Sequence, residues 1–226
     1  MNFREYGPLL TIIYEAGSYI TGHQQFPIKF FEQTDLPLIN RSLTKGLEAG
    51  CGTLRWTTGL TKAERKKGTN LNHLVVDAFD MSVPSLRIAE RKARKHKVPV
   101  QLWQADGADL SYARSFYNQS VNGTKKTFQK EEFDWLIIAG LFEVVKDPQQ
   151  VAREMNRVVR EGPIIAPLIN QNPAGLLASK ALHFNLIPPK EVFREFPDFD
   201  FEKVSVKPIL SQYMTELVTV WVGYRK

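Results

Sequence analysis

Short apolar runs alternate with amphipathic stretches through the middle of the chain. "NHLVVDAF" (72–79) has the β-branched and aromatic content of a strand. "SVPSLRIAERKARKHK" (82–97) follows with helical spacing: Leu86, Ala89 and Ala93 share one face, Ser82 stands at the N-cap position and Pro84 in the first turn. "VPVQLWQAD" (98–106) reads as the next strand, and "FDWLIIAG" (133–140) as a strand buried on both faces. "DPQQVAREMNRVVREG" (147–162) predicts a helix with Val151, Met155, Val158 and Val159 inward and Gly162 as its stop. "PIIAPLI" (163–169) is another buried strand, and the alternation in "FEKVSVKPIL" and "TELVTVWVGYRK" predicts antiparallel strands.

Strand, helix, strand in sequence implies parallel pairing with right-handed crossovers, hence an open doubly wound α/β sheet ending in an antiparallel strand pair. Ligands of such sheets sit beyond the carboxyl ends of the strands. Chemistry is therefore expected in the loops 48–54, 77–82, 105–109, 140–146 and 169–175. Two stretches interrupt the alternation: "TKAERKKGTNLN" (61–72) and the polar "SYARSFYNQSVNGTKKTFQKEE" (111–132). Both read as insertions, the second as a long mobile connection.

Composition narrows the classes. The 226 residues suit one α/β domain, and 43% hydrophobic with 24% charged residues is a globular balance. The single cysteine excludes an intrachain disulfide. The first residues lack a secretory pattern, and the longest apolar run, "WLIIAGLF", is too short to span a membrane, so a cytoplasmic protein is expected. The net charge of +6 is clustered in "TKAERKKG", "RIAERKARKHK" and "GTKKTFQK". Such clusters attract nucleic acid or other anions, although a solvated helix face carries the same pattern.

At the first strand end stands "LEAGCGTL". Gly50 and Gly52 permit a sharp turn and close approach of a ligand. The dinucleotide fingerprint G-x-G-x-x-G fails, because Arg55 holds its sixth position. The second strand ends in "DAFDMS", where Asp77 or Asp80 is placed to accept ribose hydroxyls, and the third in "QADGADL", where Asp106 is placed to accept from an adenine amine. Each acid alone is equally a helix cap or turn residue. Acids at three successive strand ends beside a glycine loop are a coherent set. Cys51 offers a thiol, but the loop supplies no base for a nucleophile. One Cys and scattered His residues give no metal-ligand spacing.

These motifs, in this order over residues 44–169, resemble the class I S-adenosylmethionine-dependent methyltransferases. "LEAGCGTL" is similar to the acid-x-Gly-x-Gly motif, "DMSVPSLRIA" to the second-strand motif, "QADGADL" to the adenine-side motif, and "FDWLIIAGLFEVVKDPQQVAREMNRVVREG" to the fourth strand and following helix. The chain departs from the family pattern at Leu54, where a third glycine is common, at Val144, where a histidine is common, and at Arg160 to Pro163, which replaces Lys-Pro-Gly-Gly.

The resemblance implies a Rossmann-like, mostly parallel seven-stranded sheet with helices on both faces. It implies one domain over 1–226: a helical lid at 1–40, a cofactor core at 44–169, and a substrate-side wall with the strand pair at 170–226. Its cofactor would be S-adenosylmethionine, bound by Glu48, Gly50, Cys51, Gly52, Asp80, Met81, Ala105, Asp106, Gly107, Ala139 and Gly140. The activity implied is methyl transfer to a small-molecule acceptor, with an RNA or protein acceptor as the alternative and a non-catalytic cofactor-binding module as the second. A general base is not obligatory. His183, Tyr19 and Glu143 are the candidates, with His23 and Tyr213 behind them. No metal is implied. Tyr6, Tyr14, Phe26, Phe30 and Phe31 of the N-terminal segment serve equally as core packing.

Overall fold

The computed structural model describes residues 25–34, 36, 38, 45–172, 175, 176, 180, 185–204 and 218–226. The elements are α1 (Phe26–Gln33), β1 (Lys45–Ala49), α2 (Arg55–Lys66), β2 (Val75–Asp80), α3 (Val83–His96), β3 (Val100–Asp106), β4 (Asp109–Tyr117), β5 (Ser120–Lys126), β6 (Trp135–Ile138), α4 (Pro148–Val158), β7 (Ile164–Ile169), α5 (Pro189–Phe193), β8 (Phe199–Val204) and β9 (Val218–Arg225). They build a nine-stranded sheet in the order β5-β4-β3-β2-β1-β6-β7-β9-β8. The five central strands are parallel, and β4, β5, β9 and β8 join antiparallel.

The doubly wound fold and its C-terminal strand pair are as expected, but the count of seven strands is corrected to nine. The difference is the polar stretch 111–132, which forms most of the β4–β5 hairpin instead of a mobile connection. Leu110, Ala113 and Phe116 are buried, and most of its polar positions are exposed, Ser115 and Lys126 being among the exceptions. The other expected insertion starts as the last turns of α2 and turns back at Gly68, whose φ is +81°.

Strand parity sorts the helices. Val76, Trp135, Ile137 and Ile165 point to the face covered by α1 and α2. Ala78 and Leu102 meet α3 on that same face. Leu47, Phe79, Leu136 and Ile138 point to the other face, where Val151, Met155 and Val158 of α4 and Val192 of α5 pack. From β1 the chain winds outward to β5 and then returns to β6 on the far side of β1. The β1/β6 junction is therefore the topological switch point, with its crevice at the carboxyl ends of the strands.

Local chemistry fixes the helix ends. Ser82 caps α3 by accepting from the Ser85 amide at 3.3 Å, and Asp147 caps α4 by accepting from the Gln150 amide at 2.8 Å. α4 stops at Val158 rather than at Gly162 as expected. Phe133 draws the chain beyond it into a parallel bridge with Val159, donating to the Val158 carbonyl and accepting from the Arg160 amide. Gly162 serves close approach instead: a Cβ there would lie 1.7 Å from the Asp134 carbonyl oxygen.

Within the expected 1–40 lid, α1 is described, and its aromatics are core. Phe26, Phe30 and Phe31 meet Trp56 of α2 edge-on at centroid distances of 6.0, 5.5 and 5.9 Å. Gly59 of α2 admits the approach, since a Cβ there would lie 2.7 Å from Pro27. Tyr6, Tyr14 and Tyr19 lie outside the described residues. Among those described, no helix is long and apolar enough to cross a membrane.

The hairpin is fastened by one half-buried cation, paired with a buried carboxylate. Lys126 Nζ donates to Asp77 Oδ2 at 2.6 Å and lies 2.7 Å from Glu132 Oε1, which also pairs with Lys45. The ammonium rests 4.5 Å from the Phe128 ring centroid. Asp77 Oδ1 accepts from Trp103 Nε1 at 2.8 Å. Removing one partner of a buried ion pair strands the other charge. Lys126→Met is therefore expected to lower stability by about 3 kcal/mol in urea unfolding at neutral pH, and a loss under about 1 kcal/mol would mean solvent replaces the ammonium.

Candidate functional site

The loop after β1 turns through three left-handed residues: Gly50 at φ +64°, Gly52 at +49° and Leu54 at +60°. Glycine takes this conformation without steric cost, whereas an L side chain pays roughly 1–2 kcal/mol. Leu54 tolerates it because its side chain is fully buried among Cys51, Ala78, Leu86 and Ala89. The loop is held from β2. The Cys51 amide donates to the Phe79 carbonyl and the Gly52 amide to Asp80 Oδ2, both at 2.8 Å. Asp80 Oδ1 accepts from the Ser82 amide at 2.7 Å, so the same carboxylate sets the entry to α3.

Leu54 occupies the N-cap position of α2 and has no side-chain acceptor to offer. Glu48 of β1 substitutes: its Oε2 accepts from the Thr57 amide at 2.8 Å. Glu48 is fully buried, and among the described residues its Oε1 has no hydrogen-bond partner. Burial raises its pKa to about 7 against the opposing contacts from Thr57. A sealed carboxylate oxygen without a donor, beside a glycine turn, fits a cationic or N–H-bearing ligand group.

Two glycines flank the switch point from adjacent strands. Gly52 and Gly140, the latter at φ +69°, each leave open space where a Cβ would project. Gly50 and Gly107 face a side chain instead. A Cβ on Gly50 would lie 2.8 Å from Leu141 Cβ, and one on Gly107 would lie 3.0 Å from Leu141 Cδ2. Leu141 thus wedges the glycine loop against the β3–β4 turn. No pattern in the sequence marked it beyond its place in the loop after β6. Nor did any pattern mark Thr57, whose backbone amide carries its contribution.

The remaining candidates sort by exposure. Met81, 43% exposed, presents a large apolar side chain next to Asp80. Burial raises the Asp80 pKa while the two amides oppose it. Each Asp80 oxygen uses one acceptor position on a backbone amide, which leaves a lone pair on each. Asp77 lies three residues back, hence on the opposite face, and is committed to Lys126 and Trp103. At the end of β3, Ala105 and Gly107 are buried, and Asp106 is exposed, with Oδ1 accepting from the Ala108 amide at 2.9 Å. Ala139 and Gly140 are half-buried at the end of β6. The Cys51 side chain packs into the core. Burial, then the charges of Asp80 and Glu48, push its thiol well above the ordinary range, which leaves no thiolate for catalysis.

Glu143, in the loop after β6, is a second sealed carboxyl. Its Oε1 accepts from the Ile169 amide of β7 at 3.0 Å, its Oε2 has no partner among the described residues, and burial raises its pKa to about 7. Its carbonyl accepts from the Asn185 amide at 2.8 Å, which ties the segment after β7 to this loop. His183, Tyr19, His23 and Tyr213 lie outside the described residues. Among those described, no group of three or more His, Cys, Asp or Glu is placed to hold a metal ion.

A family model described as "Methyltransferase domain" matches residues 47–166. The chain is 30% identical over 128 residues to a demethylmenaquinone methyltransferase of Alkalihalophilus pseudofirmus, a match covering 56% of this chain. It spans 45% of that relative's length. A demethylmenaquinone methyltransferase of Geobacillus stearothermophilus is 25% identical over 213 residues, 80% of this chain and 79% of its own. Among solved structures, an S-adenosylmethionine-dependent methyltransferase of Thermotoga maritima, described as a possible histamine N-methyltransferase, superposes with a TM-score of 0.63 at 15% identity. That superposition covers 97% of this chain and 98% of the other, and at this identity the likeness is one of fold.

Two measurements probe the site's energetics. Glu48 and Glu143 have folded-state pKa values near 7 against an ordinary 4.5, so the folded state holds protons that the unfolded chain has released. Their contribution to stability is full below about pH 4.5 and declines as pH rises to about 7. Glu143→Gln is expected to make the fall shallower, by up to about 1.4 kcal/mol per pH unit, in urea unfolding across that window; an unchanged slope would remove Glu143 from the account. For Leu54→Gly, relief of about 1 kcal/mol of backbone strain opposes the loss of a buried leucine, about 2–5 kcal/mol. Net destabilisation of about 1–4 kcal/mol is expected in the same assay.

Proposed function

The chain belongs to the S-adenosylmethionine-dependent methyltransferase family, and from that premise we propose that it transfers the cofactor's methyl group to a small-molecule acceptor. The observation that carries the site assignment is Glu48 Oε1, sealed and without a donor at the carboxyl end of β1. The cofactor supplies an electrophilic methyl on a sulfonium, so the protein's work is binding, alignment and exclusion of water.

In this reading Glu48 Oε1 receives the cofactor's ammonium while Oε2 stays on the Thr57 amide. The backbone at Gly50, Cys51 and Gly52 lines the methionine portion, with the open space beside Gly52 and Gly140 admitting it. Asp80 accepts the ribose hydroxyls on the lone pairs not used by Gly52 and Ser82. Met81, Ala105, Asp106 and Gly107 would border the adenine, and Ala139 and Gly140 would line the end of the site that takes the sulfonium. Where the acceptor is a hydroxyl or a protonated amine, its proton passes to Glu143 Oε2. The free oxygen and near-neutral pKa of that carboxyl support the role. Relatives named for demethylmenaquinone support a small-molecule acceptor.

Calorimetric titration with S-adenosylmethionine tests the site. Saturable binding is expected, weakened at least tenfold in Glu48→Gln and in Asp80→Ala. An ammonium beside Glu48 favours the ionised carboxylate, so binding near pH 6.5 is expected to release protons. The observed heat will then depend on the buffer's ionisation enthalpy in the unaltered protein and not in Glu48→Gln. Absence of binding by folded protein at millimolar cofactor overturns the assignment. Transfer of labelled methyl to a panel of phenols, quinols and amines then identifies the acceptor class.

A further inference from the structure

The β4–β5 hairpin carries a charge arrangement that the fold leaves uncompensated. Arg114 of β4 stands directly opposite Lys125 of β5. Like charges in opposed cross-strand positions are destabilising. Both cations gather on one ring: the Arg114 guanidinium carbon lies 5.2 Å and Lys125 Nζ 5.3 Å from the Tyr112 centroid. Arg114 Nε also donates to Tyr112 Oη at 2.6 Å. Tyr112 is 42% exposed, and both cations are exposed. Neither cation has an ion-pair partner among the described residues.

The next residue makes the contrast. Lys126 points to the opposite face and meets two carboxylates, those of Asp77 and Glu132. The chain therefore neutralises one lysine of the pair and holds the other beside an arginine. The strand register shifts between Arg114 and Phe116, a bulge of the kind that re-aims side chains at a sheet edge. Exposed Arg87 and Arg91 on α3 extend the positive field, their Nε atoms donating only to backbone carbonyls. Gln104 of β3, opposite Arg114, donates to the Met81 carbonyl at 3.2 Å, which sets this cluster near the carboxyl end of β3.

We propose that Arg114, Lys125 and Tyr112 form a binding site for a phosphate group, with the guanidinium and ammonium as its ligands and the ring as the platform that gathers them. The proposal stands apart from the methyl-transfer reading. A guanidinium presents two parallel N–H donors to a phosphate, and the ammonium adds a point charge. The cations already hold the Tyr112 phenol below its ordinary pKa, chiefly through the Arg114 hydrogen bond. A bound anion offsets that field.

The experiment titrates pyrophosphate calorimetrically and sediments the protein with phosphatidylcholine vesicles, with and without phosphatidylglycerol. The protein is compared with Arg114→Gln/Lys125→Gln and with Lys95→Gln/Lys190→Gln, which removes the same charge elsewhere. Binding of pyrophosphate, weakened at least tenfold in the first variant and less than twofold in the second, assigns a soluble phosphate ligand. The same pattern with phosphatidylglycerol vesicles alone assigns a lipid headgroup. Pyrophosphate is also expected to raise the phenol titration seen as the tyrosinate difference between the protein and Tyr112→Phe. Binding of neither probe, or equal loss in both double variants, overturns the proposal. The urea-unfolding midpoints of both variants are expected to match that of the unaltered protein, which shows that they fold.

Discussion

One carboxylate holds together the two elements on which any ligand at the strand ends must rest. Asp80 accepts from the Gly52 amide with one oxygen and from the Ser82 amide with the other. Without it, two buried-side backbone donors lose their partner at the point where β1, β2 and α3 converge. Together with the Cys51 amide on the Phe79 carbonyl and the Ser82 cap, that bridge fixes the glycine loop against the entry of α3. It explains why the turn keeps its shape even with leucine at its third left-handed position. The conformation is imposed by partners across the sheet more than chosen by the residue that adopts it.

Burial acts on Glu48 and Glu143 with less to oppose it, since each has one oxygen on a backbone amide where Asp80 has two. The other oxygen of each has no partner among the described residues, and each sits where burial favours its protonated form. Glu48 doubles as the cap that Leu54 cannot provide for α2. Glu143 ties the loop after β6 to β7 and to Asn185. Both therefore join loops at the carboxyl side of the sheet while keeping an acceptor in reserve.

Much of this was legible in the residues, and the exceptions have physical causes. The parallel core was readable because strands buried on both faces leave continuous apolar runs such as "WLIIAG". The β4–β5 hairpin was hidden because an edge hairpin exposes most of its side chains, so its inward residues Leu110, Ala113 and Phe116 are diluted among polar ones. The choice between Asp77 and Asp80 was available from parity alone: three residues apart on a strand means opposite faces. The early end of α4 was not, since the bridge between Phe133 and Val159 is a long-range contact that overrides helical periodicity. Leu141 left no signature because its role depends on two glycines distant in the chain.

Leu54 has a wider consequence. A motif written as letters records a missing glycine there and counts it as erosion of the turn. Written as backbone angles, the same stretch holds three left-handed residues, Leu54 the third. A search of genomes by residue identity will undercount chains of this kind. A search by dihedral pattern, with an acid at the adjacent strand end as its second condition, will retrieve them whatever side chain stands third.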